Sequence, residues 1–212
     1  MKAIVTGTTG YVGEGVLRSC LDDPRVDKVL SVSRRSTGIS HPKLEEYIVE
    51  DFMELQDGDS RLQGYDAVFF CAGITSVGTP ADQYELISHA IPMRFAQAVG
   101  PKQDMTFAYV SGYGTSDSNP QAWAKVKRST EKELAQIPFK AVYWYRPCIT
   151  RPHPGQQFRA SFQKSSRIMY PLCRLFRMAN TIENVAASMV TLAIRPEQTK
   201  IIGVKEIDRF SK

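Results

Sequence analysis

Short apolar runs alternate with longer stretches of helical periodicity along almost the whole chain. Lys2 to Thr6 is a β-branched run, and Val12, Val16 and Leu17 open a helical pattern that closes near Asp22, Asp23 and Pro24. Val26 to Ser33 repeats the strand pattern, Glu45 to Glu50 reads as a third strand, and Ala67 to Cys71 reads as a fully buried fourth. Apolar positions at Tyr84, Leu86, Ile87, Ala90, Ile91, Phe95, Ala98 and Val99 predict a long helix over Ala81 to Val99, which Pro92 should kink or break. Met105 to Val110 and Phe139 to Tyr145 are strands on either side of a helix at Gln121 to Ile137. Ile182 to Ile194 is a well-patterned helix closed by Pro196, Lys200 to Val204 a last short strand, and the charged tail from Lys205 should lie on the surface.

Alternation at these lengths implies an α/β fold, with a doubly wound parallel sheet covered on both faces. In such a sheet a ligand sits beyond the carboxyl ends of the strands, where Cys71, Ser111 and Pro147 fall.

The first strand runs into Gly7, Gly10 and Gly13, spaced by three, with Thr8, Thr9, Tyr11 and Val12 between them and a helix start after. A diphosphate approaches backbone amides at a helix N-terminus only where the turn carries no side chains in its way, and the helix dipole favours its charge. The strand before and the helix after make this a dinucleotide-binding turn rather than an ordinary tight turn. About 20 residues past the glycines, a carboxylate would bind a ribose 2′-hydroxyl and an arginine would accommodate a 2′-phosphate. Ser33, Arg34 and Arg35 stand there, which favours NADP over NAD, against the alternative of two solvated arginines. Asp51 and Phe52 follow the third strand, where an adenine ring would lie, and the small residues Ala72 and Gly73 after Cys71 let a ribose approach the backbone.

Composition narrows the class. At 212 residues, 42% hydrophobic and 23% charged, the chain should form one ordinary globular domain. Its longest apolar run, Ala67 to Ile74, is far short of a membrane span, and a strand from residue 2 leaves no room for a signal peptide, so a cytoplasmic protein is expected. Cys20, Cys71, Cys148 and Cys173 are scattered, which suggests reduced thiols and no metal site. The net charge of +5 is uneven: Leu134 to Ile182 holds no acid but contains Lys140, Arg146, Arg151, Arg159, Lys164, Arg167, Arg174 and Arg177. An anionic small-molecule substrate fits that half, while nucleic acid lacks any accompanying motif. Monomer and dimer stay equally open.

Thr6 to Gly13, the strand exit Val110-Ser111-Gly112, Trp123-Ala124-Lys125-Val126-Lys127 with Glu131 after it, and Tyr145-Arg146-Pro147 together resemble the short-chain dehydrogenase/reductase superfamily. More narrowly they resemble its atypical members grouped with NAD-dependent epimerases and dehydratases, over nearly the whole chain to about Ile194. The resemblance implies a Rossmann-like domain over residues 1–212, with 151–180 as a small helical substrate lid, and it places Arg146 and Pro147 beside the cofactor. There Phe158, Phe162, Ile168, Met169, Leu172, Leu175 and Phe176 suggest short amphipathic helices interrupted by Pro171. It also implies a serine and a Tyr-x-x-x-Lys pair, in which the lysine holds the ribose and lowers the tyrosine pKa.

Ser111 matches the serine and Lys127 the lysine, but Trp123 occupies the tyrosine position. An indole N–H only donates and does not titrate in water. Tyr113, two residues past Ser111, is the nearest substitute donor by sequence, although a loop tyrosine also serves as packing. Two functions follow from the resemblance: an NADP-dependent oxidoreductase on a small molecule, or an NADP-binding redox sensor or regulator without turnover.

Overall fold

The computed structural model describes residues 1–156, 170–176 and 178–212. Among these, seven parallel strands form one sheet: β1 (Lys2–Thr6), β2 (Lys28–Ser33), β3 (Leu44–Ile48), β4 (Ala67–Phe70), β5 (Thr106–Val110), β6 (Ala141–Tyr145) and, last in the chain, Ile201–Ile202. The order across the sheet is β3-β2-β1-β4-β5-β6 followed by the Ile201–Ile202 strand, so the chain reverses direction of travel between β1 and β4. This is the Rossmann-like doubly wound sheet, whose crevice at the reversal is the expected ligand position.

Period-two alternation sends each strand's side chains to two separate cores. Ala3, Val5, Phe69, Ala108, Tyr143 and Tyr145 join one core with α1 (Tyr11–Asp22) and the Ile182–Ile194 helix. Ile4, Val68, Phe70, Phe107, Tyr109 and Trp144 join the other with the helices between β4 and β6. Those comprise α2 (Ala81–Glu85), a π-helical turn (Leu86–Ala90), α3 (Ile91–Ala98) and α4 (Ala122–Leu134). The break expected from Pro92 therefore takes the form of a π turn just before it. Pro92 has no N–H to give the Ser88 carbonyl four residues earlier, and widening the preceding turn accommodates the ring.

β7 (Ile149–Arg151) pairs in parallel with β8 (Ala179–Thr181), bracketing the segment expected as a lid. Residues 170–175 are helical. Phe158, Phe162, Ile168 and Met169, with Arg159, Lys164, Arg167 and Arg177, lie outside the described residues. After β8 come α5 (Ile182–Ile194), β9 (Ile201–Ile202) and α6 (Val204–Phe210).

The tail from Lys205 differs from its expected surface placement. It forms α6, where Val204, Ile207 and Phe210 at spacing three are buried, Ile207 and Phe210 within the first core. The Glu206 carboxylate accepts from the Gly203 N–H at 3.1 Å, satisfying a donor that the helix start leaves open. Among the described residues, no helix is long and apolar enough to cross a membrane.

Candidate functional site

The glycine turn owes its shape to two close approaches. Gly7 has φ +67°, and a Cβ there would stand 2.6 Å from the Ala72 nitrogen. A Cβ on Gly13 would stand 2.2 Å from the Gly7 carbonyl oxygen, so no side chain fits where α1 crosses the turn. The Thr6 hydroxyl accepts from the Cys71 and Ala72 N–H groups at 3.1 and 3.2 Å, tying the end of β1 to the residues after β4. Gly10 is the N-cap of α1 and supplies no side-chain cap, which leaves the positive helix end to whatever lies in front of it.

In front of it is a cavity of about 550 Å³. Gly7, Thr9, Gly10, Tyr11 and Val12 form one wall, with Ser33, Arg34, Arg35 and Phe52 after β2 and β3, and Cys71, Ala72 and Gly73 after β4. Ser111 and Lys127 border the same space. Because β2 and β5 flank the β1–β4 pair on opposite sides, the two arginines and the Ser111–Lys127 pair stand on opposite sides of the reversal.

Several expected site residues fall outside the cavity lining. Thr8 is fully buried, and its hydroxyl meets the Ser31 hydroxyl at 2.7 Å, so it supports the turn from behind. Gly13 acts by the close approach already described. Asp51 caps a short 3₁₀ turn by accepting from the Met53 N–H at 2.8 Å. Arg146 meets both Glu131 carboxylate oxygens, at 2.5 and 3.1 Å, an ion pair that ties α4 to the end of β6. Pro147 contributes its carbonyl to the Tyr113 N–H at 3.2 Å.

Tyr84, Ile87 and Ile91, apolar positions of the helix expected over Ala81 to Val99, line the cavity with Ile74 and Thr75. Nothing in an apolar stripe distinguishes a pocket wall from a core face.

Lys127 points inward because it shares the buried face of α4 with Ala124, Glu131 and Leu134. Its amine donates to the Tyr109 hydroxyl at 2.8 Å. Burial lowers its pKa from the ordinary 10.5 to about 8, opposed in part by the Glu131 charge. The Ser111 hydroxyl donates to Thr115 at 3.1 Å. Burial pushes the pKa of the Cys71 thiol upward.

Trp123, one turn before Lys127, is half-buried and borders Gly114, while its indole N–H donates to the Gln121 carboxamide at 2.9 Å. It does not line the cavity, and Tyr113 is 57% exposed and does not line it either. The cavity thus unites a glycine turn at an uncapped helix end, two guanidinium groups, a hydroxyl and a buried amine. Trp123, one turn before Lys127, brings no titrating group to it.

A profile of the NAD dependent epimerase/dehydratase family matches residues 3–136. Among named relatives, Protein FMP52, mitochondrial, of Meyerozyma guilliermondii is 26% identical over 227 aligned positions, spanning 100% of this chain and 96% of that protein. Leucinostatins biosynthesis cluster protein T of Purpureocillium lilacinum is 29% identical over 141 positions, covering 65% of this chain and 52% of that protein. Among solved structures, UDP-glucuronic acid 4-epimerase from Bacillus cereus in complex with NAD superposes with a TM-score of 0.68 at 13% identity, covering 96% of this chain and 76% of that one. Glucuronic acid dehydrogenase from Chromohalobacter salexigens superposes with a TM-score of 0.68 at 15% identity, covering 95% and 75%. At these identities the structures establish the shared fold.

Proposed function

The chain belongs to the NAD dependent epimerase/dehydratase family, and from that membership we propose that it binds NADP at the glycine turn and works as an oxidoreductase on a small molecule. The observation that supports this reading most is the cavity, where an uncapped helix end, Arg34 and Arg35, and Ser111 with Lys127 converge on one space. In this proposal the diphosphate rests on the Gly7–Gly13 turn and the two arginines pair with the 2′-phosphate. Phe52 borders the adenine, Cys71 to Gly73 border a ribose, and Lys127 holds ribose hydroxyls. A reduced nicotinamide bound there supplies a hydride; binding, orientation and the proton belong to this chain's residues.

The test is calorimetric titration with NADPH and NADH side by side, on the wild type and on the double variant Arg34→Ala, Arg35→Ala. Micromolar NADPH binding, with its preference over NADH lost in the variant, is the expected result. Absence of binding by either nucleotide overturns the proposal.

A second reading, NADP binding without turnover, is favoured by one observation: Trp123 stands where the family's phenol would be and offers no exchangeable acid. Tyr113 is the substitute donor that the sequence suggests, and a Tyr113→Phe protein with undiminished turnover removes it. The segment 151–180 as a substrate lid and a cytoplasmic location complete the proposal. The mitochondrial designation of the Meyerozyma relative names the competing compartment, which fractionation of a tagged chain decides.

A further inference from the structure

Position 123 brings the cavity no phenol, but other elements do. Among the described residues, Tyr11 and Tyr84 are the tyrosines that line it. Tyr11 opens α1, and its hydroxyl donates to the Thr150 carbonyl. Tyr84 comes from α2, is 7% exposed and borders the same space as Ser111 and Lys127. Two further tyrosines near Lys127 in sequence or in space stay off the cavity lining: Tyr113 is exposed, and Tyr109 is fully buried with its hydroxyl donating to the Ser88 carbonyl at 2.6 Å.

The backbone puts Tyr84 at the Lys127 end of the cavity. Ser88 follows it by four residues and so shares its side of the helix. Pro92 has no N–H to give the Ser88 carbonyl, which instead accepts from Tyr109 and, at 2.9 Å, from the Thr130 hydroxyl. Those two bonds fix Ser88 beside Lys127, because Thr130 lies on α4 with it and the Tyr109 oxygen accepts from its amine at 2.8 Å. α2 and α4 each follow a parallel strand, so both begin at the carboxyl ends, where the cavity lies, and run away from it. Tyr84 is therefore one turn, about 5.4 Å, nearer the cavity than Ser88. The polar neighbours of its phenol are the Ser88 hydroxyl and Tyr109, which agrees with that placement.

We propose that Tyr84, reaching the cavity from the helix after β4, is the catalytic acid of this chain, in place of a phenol at position 123. The assignment rests on the oxidoreductase reading and names its proton donor. Hydride arrival at a carbonyl carbon moves the C=O π pair onto oxygen. That oxygen takes the proton of the Tyr84 hydroxyl, the O–H pair stays on the phenolate, and the phenolate regains a proton from solvent once the alcohol has left. Burial raises the Tyr84 pKa, so the phenol holds its proton at neutral pH, and the Ser88 hydroxyl opposes that rise in part. Lys127, whose pKa is about 8, is mostly an ammonium at pH 7 and offers the forming phenolate a positive charge. The titratable groups around Tyr84 are Tyr109 and Lys127, with Glu131 beside Lys127.

Protein labelled with fluorotyrosine gives a readout that needs no substrate. The Tyr84 signal in fluorine NMR, assigned from a Tyr84→Phe sample, is followed through a pH titration with and without saturating NADP⁺. An oxidised nicotinamide carries a fixed positive charge, and a nearby charge opposite to the phenolate lowers its pKa by about one to three units. The Tyr84 midpoint should therefore fall by at least about one unit, while the signal of Tyr143, in the core on the other face of the sheet, stays where it was. Tyr84→Phe keeps the ring and its packing; it should lower kcat for NADPH oxidation over a panel of small carbonyl compounds by about a hundredfold, with the calorimetric affinity for NADPH unchanged. NADP⁺ that binds without moving the Tyr84 midpoint, or a Tyr84→Phe protein with wild-type kcat, overturns the assignment. The midpoint decides even where no compound of the panel is turned over. Absence of nucleotide binding by calorimetry is a separate result, which overturns the oxidoreductase reading itself and the acid with it.

Discussion

Lys127→Met should stabilise the protein at neutral pH. The lysine is 5% exposed, and its pKa falls from 10.5 to about 8 in the folded chain. At about 1.4 kcal/mol per pH unit, keeping that ammonium buried costs about 3 kcal/mol at pH 7. Methionine preserves the length and apolar stem while removing the charge. Against this gain stands the hydrogen bond to the Tyr109 hydroxyl, a net contribution of about 1 kcal/mol. Glu131 keeps both carboxylate oxygens on Arg146, so no buried acid is stranded. The balance is about 2 kcal/mol in favour of the variant.

The sign with pH follows from the lowered pKa. Between about 8 and 10.5 the unfolded chain binds a proton on this lysine that the folded chain has released, so wild-type stability from this group rises with pH across that window. Above 10.5 both states are neutral and the penalty is gone. Buried thiols and the tyrosines away from Lys127 are common to both proteins and cancel in the difference. Urea denaturation of both proteins at several pH values reads it. The variant's midpoint should exceed the wild type's by roughly 1 M at pH 7, with a slope of about 2 to 3 kcal/mol/M. The advantage should shrink and reverse as pH approaches 10.5. Parallel pH profiles for the two proteins would refute the argument, because they would mean that the amine is protonated equally in both states.

Two further outcomes are expected. Gly13→Ala drives a methyl to 2.2 Å from the Gly7 carbonyl oxygen, where backbone must give way, so thermal denaturation should show a loss of about 2 to 4 kcal/mol together with weakened NADPH binding. Trp123→Tyr returns a phenol to the position one turn before Lys127; if the missing acid is what limits turnover, NADPH oxidation across a panel of small carbonyl compounds should rise by about a hundredfold or more, and an unchanged rate removes that explanation.

The inner strands of the large sheet were legible because burial on two faces imposes both an apolar run and an alternation between cores, as Ala3, Ile4 and Val5 show by pointing to opposite sides of the sheet, whereas the short β7 and β8 were not. The glycine turn was legible because its constraint is local: Gly7, Gly10 and Gly13 lie within one strand–helix junction, and their close contacts are with that junction and the neighbouring strand end. Arg34 and Arg35 were singled out by their distance along the chain, and both line the cavity. The tail helix was missed because its charge content outweighed the three-residue spacing of Val204, Ile207 and Phe210, of which Ile207 and Phe210 become part of the core only against α5 and the sheet.

What the chain determined by itself was the order of elements, the place of the glycine turn and the tryptophan one turn before Lys127, since each is written in neighbouring residues or in one fixed spacing. Tertiary structure decided which partner each candidate takes. Arg146 left the expected cofactor set for Glu131, a residue on another element, and Tyr84 joined the cavity wall from a helix whose pattern reads only as core. Lys127 met Tyr109, and Tyr109 met a carbonyl released by Pro92, through contacts 18 and 21 residues apart in sequence. No sequence period encodes such meetings, because packing of α4 and the π turn against β5 creates them.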